Sequence, residues 1–217
     1  MIPSRKALHQ RLLRFLKAPI SEKMHALEGT YYRLKGGLYY RRIFANFGNG
    51  ALLIRPTHIT NLQCITVGDR TTIGHSAVMQ PIVEYASVRY SPKIDIGKDV
   101  YIGPHAYLAS IGNLTIGDGS VLSEYVYLND AGHGFDPEGG LIMQQELVHP
   151  GDITIGKDCF LGIRSAIMPG VTLGDRCVVG AGSVVTKSFP AYSMVAGVPA
   201  ALIKRYSFEE KKWVRAQ

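Results

Sequence analysis

Between residues 65 and 188 the apolar positions recur every six residues, not at the i, i+3, i+4, i+7 spacing of a helix. Written in sixes, the chain reads ITVGDR-TTIGHS-AVMQPI, IDIGKD-VYIGPH-AYLASI and LTIGDG-SVLSEY-VYLNDA, then ITIGKD-CFLGIR-SAIMPG and VTLGDR-CVVGAG-SVVTKS. These are five blocks of three units, 18 residues each. An aliphatic residue (once Met79) holds the third place of each unit, usually with a small or β-branched residue two places earlier. Side chains on a strand alternate with period two, so first and third places share one face. The places that follow, rich in Gly, Asp, Lys and Pro, suit a corner exposed to solvent. Three short strands and three corners make one coil, and coils stacked at ~4.8 Å let each strand pair with the one above it. One coil cannot bury its own interior, so several must stack. The pattern predicts an all-β solenoid, a parallel β-helix of triangular section.

Interruptions of the repeat predict loops on the outside of the solenoid, where binding surfaces tend to form. Residues 83–93 separate blocks one and two, Gly112-Asn113 separate two and three, and the 21 residues 132–152 separate three and four. Upstream, Ala51 to Cys64 reads as an imperfect first coil. Residues 1–45 lack the repeat. There Leu8, Leu12, Phe15 and Leu16 among Arg5, Arg11, Arg14 and Lys17 predict a short basic amphipathic helix. We expect it to cap the open end of the solenoid; peripheral contact with an anionic membrane surface is the other reading. Phe208 to Trp213 reads as a second capping helix. The expected organisation is thus a helical cap over 1–45, a solenoid over 46–205 with insertions 83–93 and 132–152, and a helical tail over 206–217.

Composition narrows the class. An apolar share of 46% excludes disorder, and the 24 glycines fit a chain with many corners. Cys64, Cys159 and Cys177 form no CxxC pattern, so neither a disulfide framework nor a zinc site is expected, and a reducing, cytoplasmic setting fits. No apolar run approaches the ~20 residues of a membrane span, and the basic residues within the first 17 positions break any signal-peptide core. With 24 Lys+Arg against 17 Asp+Glu the net charge is +7, much of it within residues 1–45. That excess favours acidic partners, but no basic cluster interleaves with aromatics in a nucleic-acid-binding motif, and no such partner is expected.

The run from Ile153 to Arg205, and above all GAGSVVTK followed by VAGVPA, resembles the hexapeptide-repeat acyltransferases, nearest the galactoside, maltose and polysaccharide O-acetyltransferases. The resemblance covers roughly residues 50–205. It implies a left-handed coil, a homotrimer, and acetyl-CoA held in the cleft between two subunits; the cysteines and the basic N-terminal helix point to the cytoplasm, or the inner face of its membrane, as the place of work. The left hand is an exception to the usual crossover rule and does not follow from the spacing.

Acetyl transfer to a hydroxyl requires a general base, a donor for the tetrahedral oxyanion, and a groove that aligns the thioester. Histidine, with its ordinary pKa of ~6.5, suits the base. Of the seven histidines, His9 and His25 lie in the N-terminal segment, and His58, His75 and His105 fall on outward or corner places. His149 sits late in the long insertion with no motif around it. His133, in Asn129-Asp130-Ala131-Gly132-His133, stands where the repeat gives way to the insertion, which resembles the family's catalytic position. Its second ring nitrogen needs an acceptor; Asp130, Asp136, Glu146 or a backbone carbonyl would serve. By the same resemblance Asn129 and Asp130 are candidate acceptor contacts. The pantetheine arm would meet backbone around Ile163 and Ala181, and Thr186, Lys187 and Lys204 would meet the nucleotide end. Two departures from the family pattern stand out: Ala201 occupies a usually basic place, and Phe160 a usual Trp place. Cys159 and Cys177 fall on inward places and read as core, so transfer should be direct.

The expected activity is acetyl-CoA-dependent O-acetylation of a sugar hydroxyl on a polysaccharide, a glycan repeat unit or a sugar intermediate, with no metal. N-acetylation of an amino sugar or nucleotide amino sugar, and O-acetylation of an antibiotic, are the nearest alternatives. A γ-type carbonic anhydrase would place His75, His105 and His133 around a metal, but no histidine pair here has that family's five-residue spacing. A non-catalytic scaffold is the other remote reading.

Overall fold

The computed structural model describes residues 15–216. Successive strands fall in turn on three parallel sheets, which we name faces A, B and C. Block three shows the pattern: Asn113–Ile116 lies on A, Val121–Leu122 on B and Tyr127–Asn129 on C. Faces A and C each hold six strands. The first coil begins at Asn46–Phe47, a little before the imperfect coil read from the sequence. Adjacent coils pair in register, so that Leu108, Leu128 and Ile167 stack on one another. Each is fully buried, and the third place of every unit lines a single apolar core from Phe47 to Val195.

Glycine serves the corners in a way the composition did not reveal. The left-handed corner positions between faces A and B are occupied mostly by Arg70, Asp99, Asp158 and Arg176, each with positive φ. The glycine preceding them is needed for close approach. A Cβ on Gly156 would lie 2.6 Å from the backbone nitrogen of Asp175 in the coil above.

At the open end, Tyr40, Phe44 and Phe47 pack at 5.2–5.5 Å between ring centres and close the core. Before them runs helix α1 (Ile20–Lys35), which the repeat analysis did not single out. It is fixed to the first coil through Arg55, whose guanidinium lies 2.6 Å from Glu28 and donates to Tyr32 Oη at 3.2 Å. The basic helix expected from Leu8 begins outside the described residues. Among the described residues no helix is long and apolar enough to cross a membrane.

The helical tail expected over 206–217 is corrected. Ala200–Ser207 runs antiparallel to Ser193–Gly197, and Lys212–Arg215 antiparallel to it, extending face B by two strands. The cause is the unpaired edge that Ser193–Gly197 would otherwise present. A cross-strand Tyr206–Trp213 pair at 5.7 Å holds the hairpin, with Phe208 packed on Tyr206 and Tyr192. The polar run read as a helix supplies only the turn, closed by Glu210 N donating to Ser207 Oγ at 3.1 Å.

Candidate active site

The two insertions meet over the end of face C. Residues 132–152 fold back on themselves, with Gly132–His133 antiparallel to Leu147–Val148. Gly134 N donates to Glu146 O at 3.0 Å, and the Gln145 amide braces the loop from within. Its Oε1 accepts from Asp136 N at 2.9 Å, while Nε2 donates to Asp136 O at 2.9 Å and to Gly140 O at 3.2 Å. The first insertion forms a hairpin, Glu84–Tyr85 with Val88–Arg89. Two of its tyrosines reach the long loop. Tyr90 Oη accepts from Leu147 N at 3.0 Å, and Tyr85 Oη donates to Met143 O at 3.0 Å.

His133 is half-buried between these segments. Its Nδ1 lies 3.4 Å from Tyr85 Oη, with the two rings edge to face at 5.5 Å. Asp136, considered as a partner for this ring, accepts from Glu138 N at 2.9 Å instead, and no hydrogen bond joins the Glu146 carboxylate to the ring. Tyr85 was not singled out from the sequence, and no motif marks it; the only available signal was its place in an insertion.

Asp130 has no exposed surface. Its carboxylate accepts from Ser110 Oγ at 2.5 Å, Ile111 N at 2.8 Å and Gly112 N at 3.2 Å. It therefore clamps the corner of the coil below, and direct contact with an acceptor is not open to it in this chain. Asn129 satisfies its own surroundings, accepting from Ala131 N at 3.0 Å and donating to Tyr127 Oη at 2.9 Å. His149, which carried no motif, anchors the far end of the loop. Its Nε2 lies 3.2 Å from Asp152 and 3.8 Å from Asp130. Gly112 leaves room for that ring, since a Cβ there would fall 2.2 Å from Nε2. Asp152 also accepts from the Asn113 side chain and backbone, and these bonds, with His149, hold its carboxyl below the usual range.

Ile163 and Ala181 lie on adjacent coils at the corner between faces B and C, where Gly182 N donates to Ile163 O at 2.8 Å. That corner is lined by Gly162, Gly180, Ala181 and Gly182, and a Cβ on Gly182 would meet nothing within 4 Å. Its open backbone suits an extended amide chain. Thr186 and Lys187 come after the last strand of face C, at the opposite edge, on the side of His133. Lys204 lies on the hairpin extension of face B, level with Met194 and Arg215. One chain thus divides the candidate residues between the two edges of face C, with Lys204 apart on face B.

His75 and His105 meet edge to face at 5.2 Å at the B–C corner, with His105 stacked parallel to Tyr125 at 4.6 Å. Among the described residues, the cluster whose ligand atoms converge is Asp130, His149 and Asp152, which includes none of the carbonic-anhydrase trio. Cys159 and Cys177 are buried; the neighbouring Cys177 thiol and burial push the Cys159 thiol up, away from nucleophile chemistry.

Residues 152–187 match the family model described as the hexapeptide repeat of succinyl-transferase. The galactoside O-acetyltransferase of Escherichia coli K12 is 32% identical over 158 residues, covering 73% of this chain and 75% of its own length. WbbJ of the same organism, whose name proposes a lipopolysaccharide biosynthesis O-acetyl transferase, is 28% identical and covers 86% of this chain and 93% of its own. In fold the chain resembles AntD, an N-acyltransferase from Bacillus cereus solved with dTDP and coenzyme A. The TM-score is 0.64 at 21% identity, over 78% of this chain and 89% of AntD. The chain belongs to the hexapeptide-repeat acyltransferases and is an acyltransferase.

Proposed function

We propose that this chain transfers an acetyl group from acetyl-CoA to a sugar hydroxyl, with His133 as general base. The observation that carries the reading is His133 itself, held between two insertions at the coil corner in a chain similar to a galactoside O-acetyltransferase. His133 takes the hydroxyl proton as the oxygen attacks the thioester carbonyl. The tetrahedral adduct collapses with cleavage of the C–S bond, and the proton passes from His133 to the departing CoA sulfur. Ile163 and Ala181 would border the pantetheine arm, with Thr186, Lys187 and Lys204 near its phosphates. Asn129 faces the acceptor through the amide hydrogen it does not spend on Tyr127.

The outward rows of the three faces support assembly as a ring of copies, on the left-handed coil the family implies. Face A presents Asn46, Thr66, Asp95, Thr115, Thr154 and Thr172, a polar row. Face B presents Leu52, Thr72, Tyr101, Val121, Phe160, Val178 and Met194, and face C presents His58, Val78, Tyr107, Tyr127, Ala166 and Val184, both mostly apolar. Two different apolar faces on one protomer suit a head-to-tail contact that closes into a ring. Such a trimer would bring the B–C corner of one copy to the His133 edge of the next, completing a site one chain divides. The cytoplasm, where acetyl-CoA and sugar intermediates are made, is its proposed location.

A thiol-release assay with acetyl-CoA against a panel of sugars, nucleotide sugars and glycan repeat units tests the reading. Acceptor-dependent CoA release yielding a hydroxylamine-labile ester is expected. A hydroxylamine-stable amide would move the activity to N-acetylation, and neither release nor CoA binding would leave a scaffold.

A further inference from the structure

The geometry points to Tyr85 as a positioning residue that sets the tautomer of His133; the inference rests on His133 being the base. A phenol carries one hydrogen. Tyr85 directs its hydrogen to Met143 O at 3.0 Å, so toward His133 Nδ1, 3.4 Å away, it has only a lone pair to offer. The Nδ1 atom must then carry the ring hydrogen, which leaves the Nε2 lone pair free to accept a proton from the acceptor hydroxyl. Were the tautomer reversed, Tyr85 would have to donate to Nδ1, and Met143 O would lose its donor.

The arrangement joins both insertions. Met143 is held by the turn Ile142–Gln144 in the same loop that carries His133. Tyr85 stands at the base of a two-residue turn whose Ala86 and Ser87 both have positive φ, +46° and +64°. This conformation favours Asn-Gly, and two residues with side chains held in it store local strain. Tyr90, bonded to Leu147 N, ties the same hairpin to the loop a second time. The hairpin therefore presents the Tyr85 hydroxyl at a fixed place against the ring.

Tyr85→Phe keeps the ring and removes only the hydroxyl. In the full chain we expect kcat to fall roughly tenfold, less than the 10²–10⁴ worth of the general base itself, with KM for acetyl-CoA unchanged. Nitrogen NMR of ¹⁵N-histidine protein, with the His133 signals assigned by their loss in His133→Ala, should show the Nδ1–H form in the parent and a mixture in Tyr85→Phe. Unchanged kcat and unchanged ring signals would overturn the proposal. So would a fall in kcat with unchanged ring signals, which would leave Tyr85 only shaping the loop. If His133→Ala retained full activity the base assignment would fail, while the ring signals would still report whether Tyr85 selects the tautomer.

Discussion

Leu128 and His133 stand five positions apart, on either side of a boundary. Leu128 is fully buried, in register with Leu108 in one neighbouring coil and Ile167 in the other. Its setting is repeated in every coil. His133 belongs to an insertion; its ring meets one hydroxyl, and nothing else among the described residues repeats that contact. The coil derives stability from redundancy, whereas the site depends on a few single ties. Substitutions in the two regions should therefore fail differently.

The largest contrast comes from replacing each residue by alanine. Leu128→Ala should lower the unfolding free energy by about 2–5 kcal/mol, the range for a large side chain removed from a packed core. His133→Ala should lower kcat by roughly 10²–10⁴ with little change in thermal midpoint. Calorimetry and steady-state rates on both variants check this. Loss of stability in His133→Ala comparable to that of Leu128→Ala would erase the distinction between coil and insertion.

Asp130 lies on the boundary and should share both behaviours. Asp130→Ala leaves Ile111 N and Gly112 N without their acceptor in a buried corner, at about 1–3 kcal/mol for each unsatisfied group. It also removes a carboxylate facing His149, loosening the loop that carries His133. Denaturant unfolding should show a loss of a few kcal/mol, and kcat should fall without a matching change in KM for acetyl-CoA. A variant of parental stability would mean that the corner satisfies those amides another way.

Gln145→Ala sharpens the comparison within the insertion. Three side-chain hydrogen bonds vanish from an exposed loop, each worth about 1 kcal/mol or less. Global stability should barely move, because the coil does not depend on the loop. Hydrogen exchange should accelerate at Asp136 and Gly134, and kcat should fall severalfold as His133 loses its frame. Unaltered exchange there would show that the antiparallel pairing of Gly132–His133 holds the loop by itself.

The same difference explains what was legible in the sequence. The coil could be read because each position is specified many times over: Ile73, Ile102, Leu122, Leu161 and Val179 answer one steric demand at one height of face B. His133 stood out as a candidate because it comes two positions after the last residue of a block, and the C-terminal run carried the family resemblance. Tyr85 could not, because its partners Met143 and His133 are 58 and 48 residues away, and only the folded loops bring them together. Asp130 was misassigned because a corner carboxylate and an acceptor contact look alike in one dimension. The tail was misread because the Glu and Lys run of FEEKKW is compatible with a helix, while the free edge of face B that claims its flanks is a tertiary feature.

The smallest effect concerns the far end of the loop and is set by pH. Asp152 accepts from the Asn113 amide and side chain, which hold its pKa below the ordinary value of ~3.9. The unfolded chain therefore takes up the proton first as pH falls. The tie contributes its full stability above that ordinary value and loses it as pH drops through the lower folded pKa. The carboxylate is largely exposed, so solvent screening keeps the contribution small. The Asn113 amide shift, followed by NMR on acidification, should titrate with a midpoint below the usual carboxylate range, and Asp152→Asn should abolish that titration. A midpoint at the ordinary value would mean that Asn113 does not grip the carboxylate in solution. His149 and the bond from Gly170 N to Gly151 O at 2.9 Å would then be left to hold the end of the insertion to the coil.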